Sequence, residues 1–126
     1  MNGVVRLNKI EKILVAKWLE KILFIDFEGK KIIQEQLKSV SAMTISKCYS
    51  HVFVEFHFEG DVSILSNRRL HSPIQMSANQ QYIPPIFFVL MARNGIVFEL
   101  EVGTVDASEL DIFNIDLSDV EYHIER

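Results

Sequence analysis

The sequence has one cysteine, three prolines and five scattered glycines. With Cys48 alone, the chain cannot form an internal disulfide, which fits a reducing compartment. No apolar run approaches the roughly 18 residues that a membrane-spanning helix needs. The start of the chain, MNGVVRLNK, lacks the basic, apolar and small-residue regions of a secretory signal. We therefore expect a cytoplasmic protein that does not associate with a membrane.

Several common catalytic motifs are also missing from the sequence. It has no glycine-rich phosphate loop, no Gly-x-Ser-x-Gly nucleophile elbow and no Cys-x-x-Cys pair. Enzymes usually display a nucleophile, a base and a charge-stabilising group together. Their absence favours a binding function over catalysis, and we expect no cofactor.

The charge is distributed unevenly along a chain of 126 residues with a net charge of −4. The length and the 48% hydrophobic content predict a single soluble domain over residues 1–126. Residues 99–126 contain nine acidic side chains and Arg126 as their single Lys or Arg. Such a segment repels phosphate, which disfavours nucleic acid, and it would steer a basic protein partner. The alternative is a solvated surface that keeps the protein soluble.

Helical periodicity covers the first third of the chain. Asn8 and Glu11 have the spacing of a capping box, which predicts a helix over 9–23. A second helix is expected over 27–38, with Asp26 as its cap. The apolar stripes predict the buried positions Ile10, Ile13, Leu14, Trp18, Ile22 and Leu23 in the first helix and Phe27, Ile33, Leu37 and Val40 in the second.

From Ser41 the pattern changes to the two-residue period of strands. It predicts strands over 41–48 and 51–59, and short strands over 62–65, 111–115 and 120–124. Pro73 limits the following segment, with Ile74 and Met76 on one side, to an edge strand. Helices followed by strands predict an α+β fold, with two N-terminal helices packed on a mainly antiparallel sheet.

The strongest hairpin signal is IFFVLMARNGIVFELEV, from Ile86 to Val102. Asn94-Gly95 suits a two-residue type I′ turn, because both positions tolerate positive φ. Uninterrupted alternation then places one apolar side in the core, formed by the pairs Met91–Phe98, Val89–Leu100 and Phe87–Val102. It places Phe88 and Leu90 opposite Glu101 and Glu99 on a second face, half apolar and half acidic.

One strand face carries groups with acid–base potential. His51, Glu55, His57 and Glu59 point the same way along the second predicted strand. They could share a proton or hold a metal. The alternative is the ordinary polar surface of a half-buried strand.

The C-terminal half resembles a family of small bacterial proteins of unassigned function. The resemblance lies in Pro73-Ile74, in the strand from Pro84 to Met91, in Asn94-Gly95 and in Glu99-Leu100-Glu101. The helix pair ending near Gln36-Leu37 also fits. Small, acidic α+β proteins of this type resemble immunity proteins of toxin systems, including those of contact-dependent growth inhibition.

Three functional hypotheses follow. The first, from that resemblance and the charge distribution, is an immunity protein that occludes a cognate toxin domain, expected to be a basic nuclease. The second is a non-catalytic interaction module, with a homodimer paired through a sheet edge as one form. The third is a small hydrolase or metal-binding protein using His51, Glu55 and His57. Candidate partner-binding residues are Glu99, Glu101, Asp106, Glu109, Asp111, Asp116, Asp119 and Glu121.

Overall fold

A computed structural model describes residues 3–125 of the chain. The elements follow in the order β1 (Val4–Arg6), α1 (Lys9–Ile22), α2 (Lys30–Lys38), β2 (Val40–Lys47), β3 (His51–Phe58), β4 (Ile74–Ala78), β5 (Ile86–Arg93), β6 (Ile96–Thr104) and β7 (Val120–Ile124). Within residues 3–125, neither helix has the length and apolarity needed to cross a membrane.

The strands form one seven-stranded sheet in the order β1-β2-β3-β6-β5-β4-β7. Every neighbouring pair in this sheet is antiparallel. The β5–β6 hairpin lies at the centre, and both helices precede the sheet apart from β1. The predicted α+β fold with a central Asn-Gly hairpin is therefore confirmed.

Helix α1 begins as predicted, and Trp18, Ile22 and Leu23 are buried as predicted, but the first half of the helix buries Glu11 and Val15 instead of the predicted Ile10 and Ile13. The side chain of Asn8 accepts from the backbone N–H of Glu11, and the Glu11 carboxylate accepts from that of Asn8. Glu11 also pairs with Lys47 on β2, which draws it into the core. The helix therefore buries Glu11, Val15, Trp18 and Ile22, whereas Ile10 and Ile13 are 62% and 51% exposed.

Helix α2 starts three residues later than predicted. Gly29 occupies the N-cap position with φ +91°, and Asp26 instead forms an ion pair of 3.5 Å with Lys30. A left-handed residue at this position suits glycine. The buried side contains Ile33, as predicted, together with Gln36, which is fully buried.

The hairpin turn forms as predicted, with φ +54° at Asn94 and φ +81° at Gly95. The predicted register is wrong after the second pair. Ala92 pairs with Val97 and Met91 pairs with Glu99, so Phe98 is an extra residue on β6, a β-bulge. Successive side chains of a strand point to opposite faces of the sheet. The extra residue therefore places each β5 side chain on the face opposite to the predicted one.

The core lies between the helices and the face of β5 that carries Phe88 and Leu90. Both side chains are 0% exposed. Trp18 on α1, predicted as a core anchor, meets Phe88 edge-on with ring centres 5.8 Å apart. The helices therefore cover Phe88 and Leu90, whereas Phe87, Val89 and Met91 lie half-buried on the opposite face of the sheet.

Three strand predictions need correction. Residues 62–65 and 111–115 form no regular strand, and β4 lies inside the sheet between β5 and β7. Pro73 precedes β4, so its missing N–H does not prevent the strand from pairing on both sides. Strand β1 was not predicted, because three residues are too few to establish a period.

Candidate functional site

The antiparallel order brings three connecting segments to one end of the sheet. These are the β2–β3 turn (residues 48–50), the β4–β5 loop (residues 79–85) and the β6–β7 crossover (residues 105–119). Together they contain five acidic residues and no lysine or arginine: Asp106, Glu109, Asp111, Asp116 and Asp119. We call this surface the acidic end.

The acidic end also carries exposed apolar side chains. Eleven large hydrophobic residues are exposed in the described part of the chain, and five belong to these three segments. They are Tyr49 (67% exposed), Tyr82 (88%), Ile83 (47%), Val105 (61%) and Phe113 (61%). Large aromatic side chains surrounded by polar groups are typical anchors of protein interfaces. The sequence reasoning missed them, although a lone tyrosine in a polar loop is a usable signal.

Residues 106–120, which run from the crossover into the start of β7, form three consecutive five-residue units that begin at Asp106, Asp111 and Asp116. Each of these carboxylates accepts a hydrogen bond from the backbone N–H two residues later, at 3.1, 3.1 and 2.9 Å. Such turns are a common local use of aspartate. Each unit ends on an apolar residue packed against the core, namely Leu110, Ile115 and Val120.

Hydrogen bonds join the three segments of the acidic end. The N–H of Leu110 donates to the carbonyl of Tyr49 at 2.9 Å. The side chain of Gln80 donates to the carbonyl of Asp116 at 2.9 Å and accepts from its N–H at 3.0 Å. Asn79 donates to the carboxylate of Asp119 at 3.2 Å. These contacts connect the backbones of the three segments to one another.

Two of the aspartates are held in the ionised form by their own turns. A hydrogen bond from the Ser108 hydroxyl, helped by the Ser108 N–H, lowers the pKa of Asp106. The equivalent bonds from Ser118 lower the pKa of Asp116. Both serines donate to Oδ1, so among the described residues Oδ2 of each aspartate has no hydrogen-bond donor. These oxygens can accept hydrogen bonds from a partner.

The structure divides the predicted partner-binding residues between two surfaces. Five belong to the acidic end. Glu121 is exposed on β7, where it lies opposite Ser77. Glu99 and Glu101 lie instead on the sheet face opposite the helices. The continuous acidic run of the sequence is therefore not one continuous patch.

We call this second surface the open face. It comprises three rows across β3, β6 and β5: His51–Gly103–Phe87, Phe53–Glu101–Val89 and Glu55–Glu99–Met91. Glu55 is exposed, and the other members except Gly103 are half-buried. The His51 and Phe87 rings meet edge-on over Gly103 with centres 5.5 Å apart, and a Cβ there would collide with both. The carboxylate of Glu101 thus lies between the apolar Phe53 and Val89, whereas that of Glu99 has Met91 on one side and Glu55 on the other.

Like charges meet in the third row of the open face. Glu55 and Glu99 are directly opposite each other on neighbouring strands, and Glu101 is two residues from Glu99 on the same face. Burial, followed by repulsion from Glu55 and Glu101, raises the pKa of Glu99, and Arg93 opposes this rise. The Arg93 guanidinium lies over the Phe98 ring, 4.4 Å from its centre.

The two histidines that the third hypothesis assigns to a hydrolase or metal site contact different partners. His51 contacts the Ser50 hydroxyl at 2.7 Å through Nδ1, and its Nε2 lies 3.7 Å from the Glu101 carboxylate. His57 contacts the Thr44 hydroxyl at 3.0 Å. Within residues 3–125, no three His, Cys, Asp or Glu side chains are arranged to hold a metal ion.

No protein-family model, curated protein or solved structure matches this chain.

Proposed function

We propose that this protein is a toxin-neutralising immunity protein that binds a basic toxin domain and occludes its active cleft. The acidic end carries this proposal. Three hydrogen-bonded segments there combine five carboxylates with exposed aromatic side chains and contain no basic residue.

The aromatic side chains would supply most of the affinity. Tyr82 and Phe113 are 88% and 61% exposed, so burying them in a partner would remove apolar area from water. Interface anchors of this kind typically contribute about 2 kcal/mol or more each. Because a network of hydrogen bonds fixes the loops, little conformational freedom is lost on binding.

The carboxylates would orient the toxin domain and raise its rate of association. On binding they would take the place of substrate phosphates in the cleft of a nuclease, and their field attracts a basic surface. Such steering raises the association rate more than the affinity, and it weakens as salt is added. The lowered pKa values of Asp106 and Asp116 keep this charge at acidic pH.

The test starts with the gene immediately upstream. If it encodes a large exported protein, its C-terminal domain is expressed with and without this chain, and cell growth is measured. We expect growth arrest without the chain and rescue with it. Arrest that the chain does not relieve would contradict the proposal.

The mechanism is tested with D106N/D111N/D116N, in which asparagine can still accept the turn hydrogen bonds. The matched control E20Q/E28Q/E35Q removes three exposed acids from or beside the helices. At low salt we expect the first variant to associate with the toxin domain about tenfold more slowly than the control. Equal rates and equal salt dependence in both would exclude steering by the acidic end.

A second candidate is a homodimer paired through the edge strand β1. Val4 and Val5 on β1 are 64% and 60% exposed, and Ile10 and Ile13 on the following helix are exposed as well. An edge strand with unpaired backbone groups can pair with a second copy. Sedimentation velocity over a hundredfold range of concentration tests this, and a monomer throughout would contradict it.

A further inference from the structure

We propose that the open face is a second binding surface, whose partner is a polypeptide segment carrying an arginine flanked by apolar side chains. This inference goes beyond the acidic end, because it concerns different residues on the opposite side of β6 from the helices. It depends on neither a toxin partner nor a dimer.

The arrangement of the open face specifies the chemistry of its partner. Glu99 and Glu101 form the middle column, on β6, with Phe53 on one side and Val89 and Met91 on the other. A partner lying flat on this face would bury the carboxylates among apolar groups. A buried carboxylate is costly unless it is paired and hydrogen-bonded. Arginine suits this role, because its planar fork binds carboxylates bidentately and is weakly hydrated.

The same charges exclude other occupants. A second copy placed face to face would oppose its own Glu55, Glu99 and Glu101 to these carboxylates, so the contact would be repulsive. A nucleic acid would place phosphates against them. An apolar segment without a cation would bury the carboxylates and add no positive charge beyond His51, which lies 3.7 Å from Glu101, and Arg93, which acts on Glu99.

The open face suits a short segment rather than a whole domain. Its three strands lie about 4.8 Å apart, and its rows cover residues 99–103 of β6, or about 15 Å along the strand. A partner segment of a few extended residues would cover this surface. The free protein also carries the Glu55–Glu99 repulsion, which Arg93 opposes in part and a bound guanidinium would oppose further.

The experiment uses two synthetic peptides of equal length, one alternating arginine with valine and the other alternating citrulline with valine. Citrulline keeps the shape of arginine without its charge. Binding to the full chain is measured by calorimetry and mapped by amide chemical shifts. We expect the arginine peptide to bind at least tenfold more tightly and to shift amides of β3, β5 and β6.

Matched variants separate the open face from general attraction to an acidic protein. E55Q/E99Q/E101Q and D106N/D111N/D116N remove three charges each. We expect the first to weaken binding of the arginine peptide about tenfold, and the second to change it less than about twofold. M91K, which adds a cation beside Glu99, should also weaken it. Equal effects of the two triple variants, shifts centred on the acidic end, or no binding would overturn the proposal.

Discussion

The side-chain amide of Gln36 donates a hydrogen bond of 2.9 Å to the carbonyl oxygen of Gly95. Its own oxygen accepts from the N–H of Val97 at 3.0 Å, so the two bonds enclose Ile96 at the start of β6. The same amide also donates to the carbonyl of Ser63 at 2.6 Å. One fully buried side chain thus joins α2, the β3–β4 loop and the central hairpin.

We expect Q36L to lower the free energy of unfolding by about 2 kcal/mol, because the Val97 N–H and the Ser63 carbonyl lose their Gln36 partner. The Gly95 carbonyl still accepts from the N–H of Leu65 at 2.9 Å. Urea denaturation measures this change. The control Q34L alters an exposed glutamine on the same helix and should change stability by less than about 0.5 kcal/mol. Similar values for both variants would show that the three bonds do not hold the hairpin.

We expect E99Q to stabilise the protein at pH 7 by about 0.5 kcal/mol, because it relieves repulsion between directly opposed carboxylates. The pKa of Glu99 is raised in the fold, so the folded state binds a proton more tightly than the unfolded state does. At pH values above the folded pKa, the ionised Glu99 therefore lowers the free energy of unfolding. At pH values below the unfolded pKa of about 4.3, this destabilisation is absent. Thermal unfolding should show the advantage of E99Q shrinking as pH falls, and a constant advantage would contradict the repulsion.

We expect the opposite sign at Glu125. Its carboxylate accepts backbone hydrogen bonds from Ser72 at 3.0 Å and His71 at 2.8 Å, and these bonds lower its pKa. The stability that these bonds contribute is present at pH above the unfolded pKa of about 4.3. It is lost as the pH falls through the pKa of Glu125 in the folded state. E125Q should therefore cost about 1 kcal/mol at pH 7 and progressively less on acidification. The control is E121Q, which changes an exposed carboxylate on β7, four residues before Glu125.

Local signals predicted much of the fold. The capping box at Asn8 and Glu11 and the turn at Asn94-Gly95 depend on residues close together in sequence, and both form as expected. The two-residue period over 51–59 also predicted β3, which begins at His51 and ends at Phe58. In the capping box and the turn, the interactions that produce the structure join residues only a few positions apart in the sequence.

The errors have distant causes. The bulge at Phe98 accompanies the bond between Val97 and Gln36, which are 61 residues apart. Helix α1 buries Glu11 rather than Ile10 or Ile13 because Lys47 on β2 pairs with it. In both contacts the two residues belong to different elements, so no pattern within one segment indicates them. Predicting these contacts requires knowing which elements are neighbours in the sheet.

The candidate sites illustrate the same limit. The acidic run from Glu99 to Glu125 was visible in the sequence, but its division between two surfaces follows from the path of β6 and the crossover. Tyr49 joins the acidic end from a turn far upstream, through the bond from Leu110. The predicted hairpin register was also wrong. It assigned Phe88 and Leu90 to the sheet face on which the structure places Val89 and Met91.

The position of the hairpin determines how the sheet can open. On one side β3 pairs with β6 and is followed outward by β2 and β1. On the other side β4 pairs with β5 and is followed by β7. Either edge can fray while the rest stays paired, whereas loss of β5 and β6 leaves two unconnected ladders. In native-state hydrogen exchange, the amides of Leu100 and Val102 should therefore exchange only through global unfolding. Those of β1 and β7 should exchange earlier, through local opening at the two edges.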